Sequence, residues 1–217
     1  MNVWIDTILI VLVLGNFLLL GSSRLAACIR VVAVQGVLLG VLTLLTHEEG
    51  VTVRILLLAL VSTGVKGVVF PWLLTRALRE ANVRHEIEPY VGYNLSILVG
   101  TVALGVSLGL SARLPLPTQP LSSLIVPVAL FSILVGLLVI VSRKKALTQV
   151  LGYLVLENGI YAFGVGLVQR APVVVELGVL LDVFVAVFVM GIAIFHINRE
   201  FDHIDTDRLA TLRDWVS

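Results

Sequence analysis

Charged residues are scarce in this sequence of 217 residues. They make up 13% of the chain, whereas hydrophobic residues make up 59%, and the mean hydropathy is +1.07. A soluble domain carries about 25% charged residues. One soluble core cannot bury so many apolar side chains, so the composition indicates an all-α, polytopic membrane protein.

The sequence also has only one cysteine and a net charge close to zero. The single cysteine, Cys28, excludes an internal disulfide and any cysteine-clustered metal or iron–sulfur site. The net charge of +1 gives no electrostatic basis for binding nucleic acid. No basic residue precedes the first apolar run, so we expect a retained helix there rather than a cleaved signal peptide. No nucleotide, flavin or haem motif is visible, and we expect no cofactor within this chain.

The sequence does contain long apolar segments. A transmembrane helix needs about 20 consecutive, mostly apolar residues. Turn or charge signals separate about seven of them. Their approximate ranges are 3–21, 25–45, 53–76, 91–111, 121–141, 147–168 and 173–197. Basic residues concentrate in every second connection, so the positive-inside rule predicts an N-terminus outside and a C-terminus in the cytoplasm.

The third predicted span contains a lysine, Lys66, close to Gly67 and Pro71. Pro71 cannot donate a hydrogen bond to the Gly67 carbonyl, and a proline at this place tends to kink the helix. In lipid, such irregular backbone persists only where protein or water covers it. We therefore interpret Lys66 as a lysine in a polar channel. The alternative is a lysine whose long stem reaches the cytoplasmic interface.

The sixth predicted span carries Glu157 at its centre, with Asn158 beside it. Adjacent helical residues point in different directions, and the face of the glutamate carries Leu154, Ile160 and Tyr161. An ionisable group at this depth costs roughly 2.5–3.5 kcal/mol on insertion scales, which favours a functional role. The alternative is a protonated glutamate that makes one hydrogen bond between helices.

The seventh predicted span carries a second acid, Asp182, on a helical face that ends near His196. The imidazole titrates near neutral pH, so this face is a candidate proton route toward the cytoplasm. Glu176 lies four residues after Pro172, where the helix dipole stabilises a carboxylate, and we interpret it as a supporting residue. Glu157, Asp182, Lys66 and His196 are thus the candidate pathway residues, supported by Asn158, Glu176, Pro71 and Gly67.

The second half of the chain resembles a known family in several short blocks. These blocks are Val141-Ser142-Arg143-Lys144, Gly152-Tyr153, Leu156-Glu157-Asn158-Gly159, Arg170-Ala171-Pro172, Val175-Glu176-Leu177-Gly178, and Asp182 with Phe184, Ala186 and Val187. Together they resemble the hydrogenase-4 component E family, a membrane subunit of formate hydrogenlyase-type and related group 4 complexes.

That family is similar in turn to the three-span K subunit of bacterial complex I and to the C subunit of Mrp-type antiporters. The resemblance implies a four-helix membrane extension over 1–112, a three-helix K-like unit over 113–198 and a cytoplasmic tail over 199–217. The K-type glutamates would fall near Leu154 and Val187, so the acids of this chain are displaced along the helix axis.

The resemblance implies a non-catalytic subunit of a redox-driven ion pump in a bacterial or archaeal cytoplasmic membrane. Its partners would be antiporter-like membrane subunits and a peripheral redox arm, and nickel–iron and iron–sulfur centres would lie in those partners. Two alternatives stay open: a scaffold without ion transport, and a subunit of a cation/proton antiporter without a redox partner.

Overall fold

A computed structural model of the chain describes residues 3–46, 53–80, 90–114, 122–143 and 145–167. The regular structure in these ranges is helical. In chain order they are α1 (Val3–Gly21), α2 (Leu25–Thr46), α3 (Val53–Gly64), a π-helical turn (Val65–Val69), α4 (Phe70–Glu80), α5 (Tyr93–Ser111), α6 (Ile125–Ser142) and α7 (Ala146–Leu167).

The first six predicted spans fall on these helices, and the third span is built from α3, the π-helical turn and α4 in direct succession. Within the described ranges, α1, α2, α5 and α6 are long and apolar enough to cross a membrane. The protein is therefore an integral membrane protein with an all-helical described part. The predicted span 173–197 lies outside the described residues, so the count of seven and the orientation of the termini stay predictions.

The two ends of the bundle differ in their polar contacts. At one end, Arg143 Nη2 donates a hydrogen bond to the carbonyl of Leu20 at 3.0 Å. Arg24 follows Leu20 by four residues, so we call this end the basic end. At the other end, which we call the distal end, the Ser122 hydroxyl donates to Asp6 Oδ1 at 2.5 Å. The ion pair described below lies between these two ends.

Buried apolar side chains form two clusters, one toward each end. The basic-end cluster consists of Leu19, Leu20, Leu25, Cys28, Ile29, Val32, Phe70, Leu74, Ala77, Leu78, Phe131, Val135, Val139, Leu147, Val150, Leu151, Leu154 and Val155. The distal cluster consists of Ile5, Ile8, Leu9, Leu12, Leu39, Leu42, Ile125, Val128, Ala129, Tyr161 and Ala162.

Glycines bring the helices that carry the polar residues into close contact. On α6 and α7, a Cβ atom added at Gly136 would lie 2.5 Å from the Leu156 backbone nitrogen, and one at Gly159 would lie 2.7 Å from the nitrogen of Ile133. On α2, a Cβ atom added at Gly36 would lie 2.6 Å from Lys66 Cβ. Small residues are the usual means of close helix approach in lipid. These contacts set the positions of α7 and the third span relative to their neighbours.

Candidate functional site

Lys66 lies in the π-helical turn of the third span and is buried, with 3% of its surface exposed. The turn is closed by a hydrogen bond from the Phe70 N–H to the Val65 carbonyl, which spans five residues instead of four. Pro71 follows directly and has no N–H for the Gly67 carbonyl. The backbone irregularity predicted around Pro71 is thus a widened turn that contains both Lys66 and Gly67. Such turns occur frequently at functional sites.

Glu157 lies on α7 opposite this turn, and its side chain is 1% exposed. Its carboxylate Oε1 accepts a hydrogen bond from Lys66 Nζ at 2.6 Å, so the two groups form a buried ion pair. The partners are 91 positions apart in the sequence. Short charge-assisted hydrogen bonds of this kind are about twice as strong as neutral ones. The two candidate charges of the described spans therefore form one site.

Tyr161 lies one helical turn after Glu157 on the same face of α7. Lys66 Nζ lies 4.5 Å from the centre of its ring, within the range of a cation–π interaction. The tyrosine hydroxyl and Thr43 Oγ1 are 2.8 Å apart. Because Thr43 Oγ1 also donates to the Leu39 carbonyl at 2.9 Å, the tyrosine is the donor toward the threonine in this arrangement. The site thus extends from the third span through α7 to α2.

Two polar atoms beside the ion pair are buried and lack hydrogen-bond partners among the described residues. They are Glu157 Oε2 and Asn158 Nδ2. A buried carboxylate oxygen without a partner is costly, and ordered water is the common way in which such groups are satisfied. The pair is therefore held by protein at one carboxylate oxygen and offers the second to water, an ion or a proton.

A neutral hydrogen-bond network links α1, α2 and α6 at the middle of the bundle. Gln35 Nε2 donates to Asn16 Oδ1 at 2.9 Å, and Asn16 Nδ2 donates to Ser132 Oγ at 2.8 Å. Gln35 precedes Gly36, which contacts Lys66, so the network adjoins the ion pair through the backbone of α2. Such amides act as polar contacts between helices in lipid.

The predicted site residues divide into two groups. Lys66, Glu157, Asn158, Pro71 and Gly67 are described, and the first two are in contact. The other three predicted site residues lie outside the described residues; these are Asp182, Glu176 and His196. Within the described ranges, no three His, Cys, Asp or Glu side chains gather into a metal-binding group.

The sequence interpretation placed Tyr161 on the face of Glu157 but gave it no role, and it overlooked Thr43. The spacing of four residues between Glu157 and Tyr161 was the available signal for the tyrosine. Ile160, expected on the same face, is instead 43% exposed. No local pattern distinguishes Thr43 from other helical threonines, because its partner lies 118 positions away.

Arg143 is a third buried charge, after Lys66 and Glu157, and it directly follows the last residue of α6. Its side chain is 1% exposed, with the guanidinium carbon 5.1 Å from the centre of the Tyr93 ring. Burial lowers the pKa of this guanidinium from its ordinary value. Nη1 has no hydrogen-bond partner among the described residues, while Nη2 bonds to Leu20. Arg143 thus ties the end of α6 to the end of α1.

Comparisons with known proteins find relatives of two kinds. The uncharacterized protein Rv0085 of Mycobacterium tuberculosis is 33% identical over 211 residues, which cover 94% of this chain and 93% of that protein. Hydrogenase-4 component E of Escherichia coli is 40% identical over 86 residues, which is 40% of each chain, and the protein of that name from Shigella flexneri matches equally. No family model matches, and no solved structure matches.

Proposed function

This chain belongs to the same family as protein Rv0085 of Mycobacterium tuberculosis, and from that premise we propose that it is a non-catalytic membrane subunit of a hydrogenase-type redox complex. Its partial similarity to hydrogenase-4 component E supports the kind of complex. Its long apolar helices support the location in the membrane. The complex converts redox energy, and this chain contributes buried charges to the movement of protons or cations.

The buried Lys66–Glu157 pair is the observation that carries this proposal. Two opposite charges at membrane depth are expensive to bury, and a scaffold can be built without them. Here one carboxylate oxygen is bound to the ammonium group and the other has no partner among the described residues. A carboxylate with one oxygen held in place and one open can take up and release a proton without losing its position.

In this mechanism Glu157 alternates between its ionised and protonated forms, and Lys66 is its electrostatic partner. Two unit charges about 4 Å apart interact by roughly 4 kcal/mol at an effective dielectric constant of 20. A redox step that shifts a charge near the pair can therefore change the proton occupancy of Glu157. The π-helical turn, with Gly67 and Pro71, positions the ammonium group.

The seventh predicted span completes the route in this proposal. Asp182 is the second proton carrier, Asn158 and Glu176 support the pathway, and His196 delivers protons at the cytoplasmic side. This assignment rests on the sequence pattern and on the proposed membrane orientation. In that orientation the chain has seven spans, and the basic end of the bundle faces the cytoplasm. The division into a four-helix extension over 1–112, a K-like unit over 113–198 and a tail over 199–217 belongs to the same proposal.

The proposed partners are antiporter-like membrane subunits and a peripheral redox arm. Nickel–iron and iron–sulfur centres belong to those partners, and the complex lies in a bacterial or archaeal cytoplasmic membrane. A scaffold role is the second candidate, and the close glycine contacts between α6 and α7 favour it because they are packing contacts between helices. A cation/proton antiporter without a redox arm is the third.

The first test is a mild-detergent purification from native membranes, followed by mass spectrometry of the bound proteins. Antiporter-like subunits together with nickel–iron or iron–sulfur proteins support the proposal, whereas antiporter-like chains alone favour cation/proton exchange. The second test is Glu157→Gln in membrane vesicles. We expect proton translocation to fall at least tenfold while the complex still assembles. Unchanged translocation with intact assembly would favour the scaffold.

A further inference from the structure

The ammonium group of Lys66 contacts two different side chains of α7. Its Nζ donates a hydrogen bond to Glu157 Oε1 at 2.6 Å and lies 4.5 Å from the centre of the Tyr161 ring. Glu157 and Tyr161 are four residues apart, so they lie on one face of the helix. The same positive charge is therefore in contact with a carboxylate and with the face of an aromatic ring.

The Tyr161 ring is held in place by contacts other than the one with Lys66. Its side chain is buried in the distal cluster, with 4% of its surface exposed. Its hydroxyl lies 2.8 Å from Thr43 Oγ1, so the polar end of the side chain is bonded to α2. The ring therefore stays beside the ammonium group whether or not Glu157 is ionised.

The stem of Lys66 is fixed as well. A Cβ atom added at Gly36 would lie 2.6 Å from Lys66 Cβ, so α2 packs directly against the start of this side chain. The residue is 3% exposed, and its charge cannot be compensated by bulk water. An ammonium group buried in this way keeps its charge only if its neighbours stabilise that charge.

Protonation of Glu157 changes the charge balance at the pair. The ionised carboxylate and the ammonium group sum to zero, whereas a proton added at Oε2 leaves a net charge of +1 on Lys66. A buried charge that loses its counterion is costly. The negative face of an aromatic ring attracts an ammonium group and does not attract a neutral amine in this way. The Tyr161 ring therefore stabilises the charged lysine in both states of the carboxylate, and it disfavours transfer of the lysine proton to Glu157.

We propose that Tyr161 is a positioning residue for the Lys66–Glu157 pair: its ring keeps Lys66 charged and in place while Glu157 is protonated. This inference rests on the proposed ion-handling role of the pair, and it adds a third residue to that role. Thr43 acts through the tyrosine, because it binds the hydroxyl at the far end of the ring.

Stepwise fluorination of the ring tests this contact with little change in the shape of the side chain. Tyr161 is replaced by phenylalanine, and then by phenylalanines with one, two and three ring fluorines, each of which weakens the negative face of the ring. The readout is the midpoint of thermal unfolding of the full chain in mixed micelles. We expect the midpoint to fall stepwise, by about 2–4 °C across the series, and to stay constant across the same series in a Lys66→Met chain. A constant midpoint in both chains, or the same fall in both, would overturn the proposal.

Translocation by the assembled complex is the second readout. Tyr161→Phe keeps the ring and should retain translocation within about threefold of the native rate, whereas Tyr161→Leu should lower it about tenfold or more. Phe163→Leu makes the same kind of change two residues along α7, on another face of the helix, and should leave translocation at the native rate. An equal loss in the phenylalanine and leucine variants would assign the effect to the hydroxyl and refute the role of the ring.

The two readouts separate this inference from the function on which it rests. If Glu157→Gln leaves translocation intact while the fluorination effect depends on Lys66, the ion-handling role fails and Tyr161 remains the residue that holds the charged lysine. If Glu157→Gln stops translocation while fluorination has no effect, the proposed function stands and the role of Tyr161 is overturned.

Discussion

Breaking the Lys66–Glu157 pair should cost much more than breaking a neutral hydrogen bond in the same bundle. The perturbation is a double-mutant cycle with Lys66→Met, Glu157→Gln and the combined variant. Methionine keeps much of the lysine stem, and glutamine keeps the shape of the glutamate, so each change removes a charge with little change in volume. The combined variant removes both charges and leaves neither one unpaired.

The expected magnitude follows from the geometry of the pair. The charges are 2.6 Å apart, with side chains 4% and 1% exposed, so either single change leaves an uncompensated charge in a buried position. Such a change costs about 3–5 kcal/mol, whereas replacing both partners of a buried pair is often near neutral. The coupling energy should therefore exceed about 2 kcal/mol. A neutral hydrogen bond between membrane helices is worth about 0.6 kcal/mol, and about 1.7 at most.

The assay is reversible unfolding of the purified protein in mixed micelles, with helicity as the readout. The Asn16–Gln35 contact supplies an internal standard, because it is a neutral interhelical hydrogen bond of 2.9 Å in the same bundle. A double-mutant cycle with Asn16→Ala and Gln35→Ala should give a coupling energy no larger than the value stated above for neutral hydrogen bonds between membrane helices. A Lys66–Glu157 coupling below about 1 kcal/mol, or equal to that of the amide pair, would refute the ion-pair interpretation and favour a protonated glutamate.

Three further variants test packing, the basic end and the widened turn. Gly159→Ala should destabilise the protein by about 1–3 kcal/mol, because its Cβ would overlap the backbone of α6, whereas Gly105→Ala faces open space and should be neutral in the same unfolding assay. Arg143→Lys should lower the thermal midpoint, because one ammonium group cannot replace the buried guanidinium fork, and Arg113→Lys, at an exposed turn, should not. Pro71→Ala should reduce translocation more than stability; vesicles with unchanged translocation would remove the π-helical turn from the mechanism.

Much of the helical fold could be predicted from hydropathy, because in lipid each helix must satisfy its own backbone hydrogen bonds and must be long enough to cross. The predicted first span, 3–21, matches α1 in both bounds, and the predicted second span, 25–45, ends one residue before α2 does. The backbone anomaly near Pro71 was predictable as well, since a missing N–H is a local property of the sequence. Its form as a π-helical turn was not.

By itself, the sequence determined that the protein lies in a membrane, where its first six spans run, and that Lys66 and Glu157 are costly residues at depth. Only the tertiary structure decided that these two charges meet, that Tyr161 reaches Thr43, and that Arg143 is buried. The physical reason is that apolar helices in lipid have no hydrophobic force to orient them toward one another. Glycine contacts and buried polar pairs set the rotation of each helix, and both depend on residues far apart in the chain.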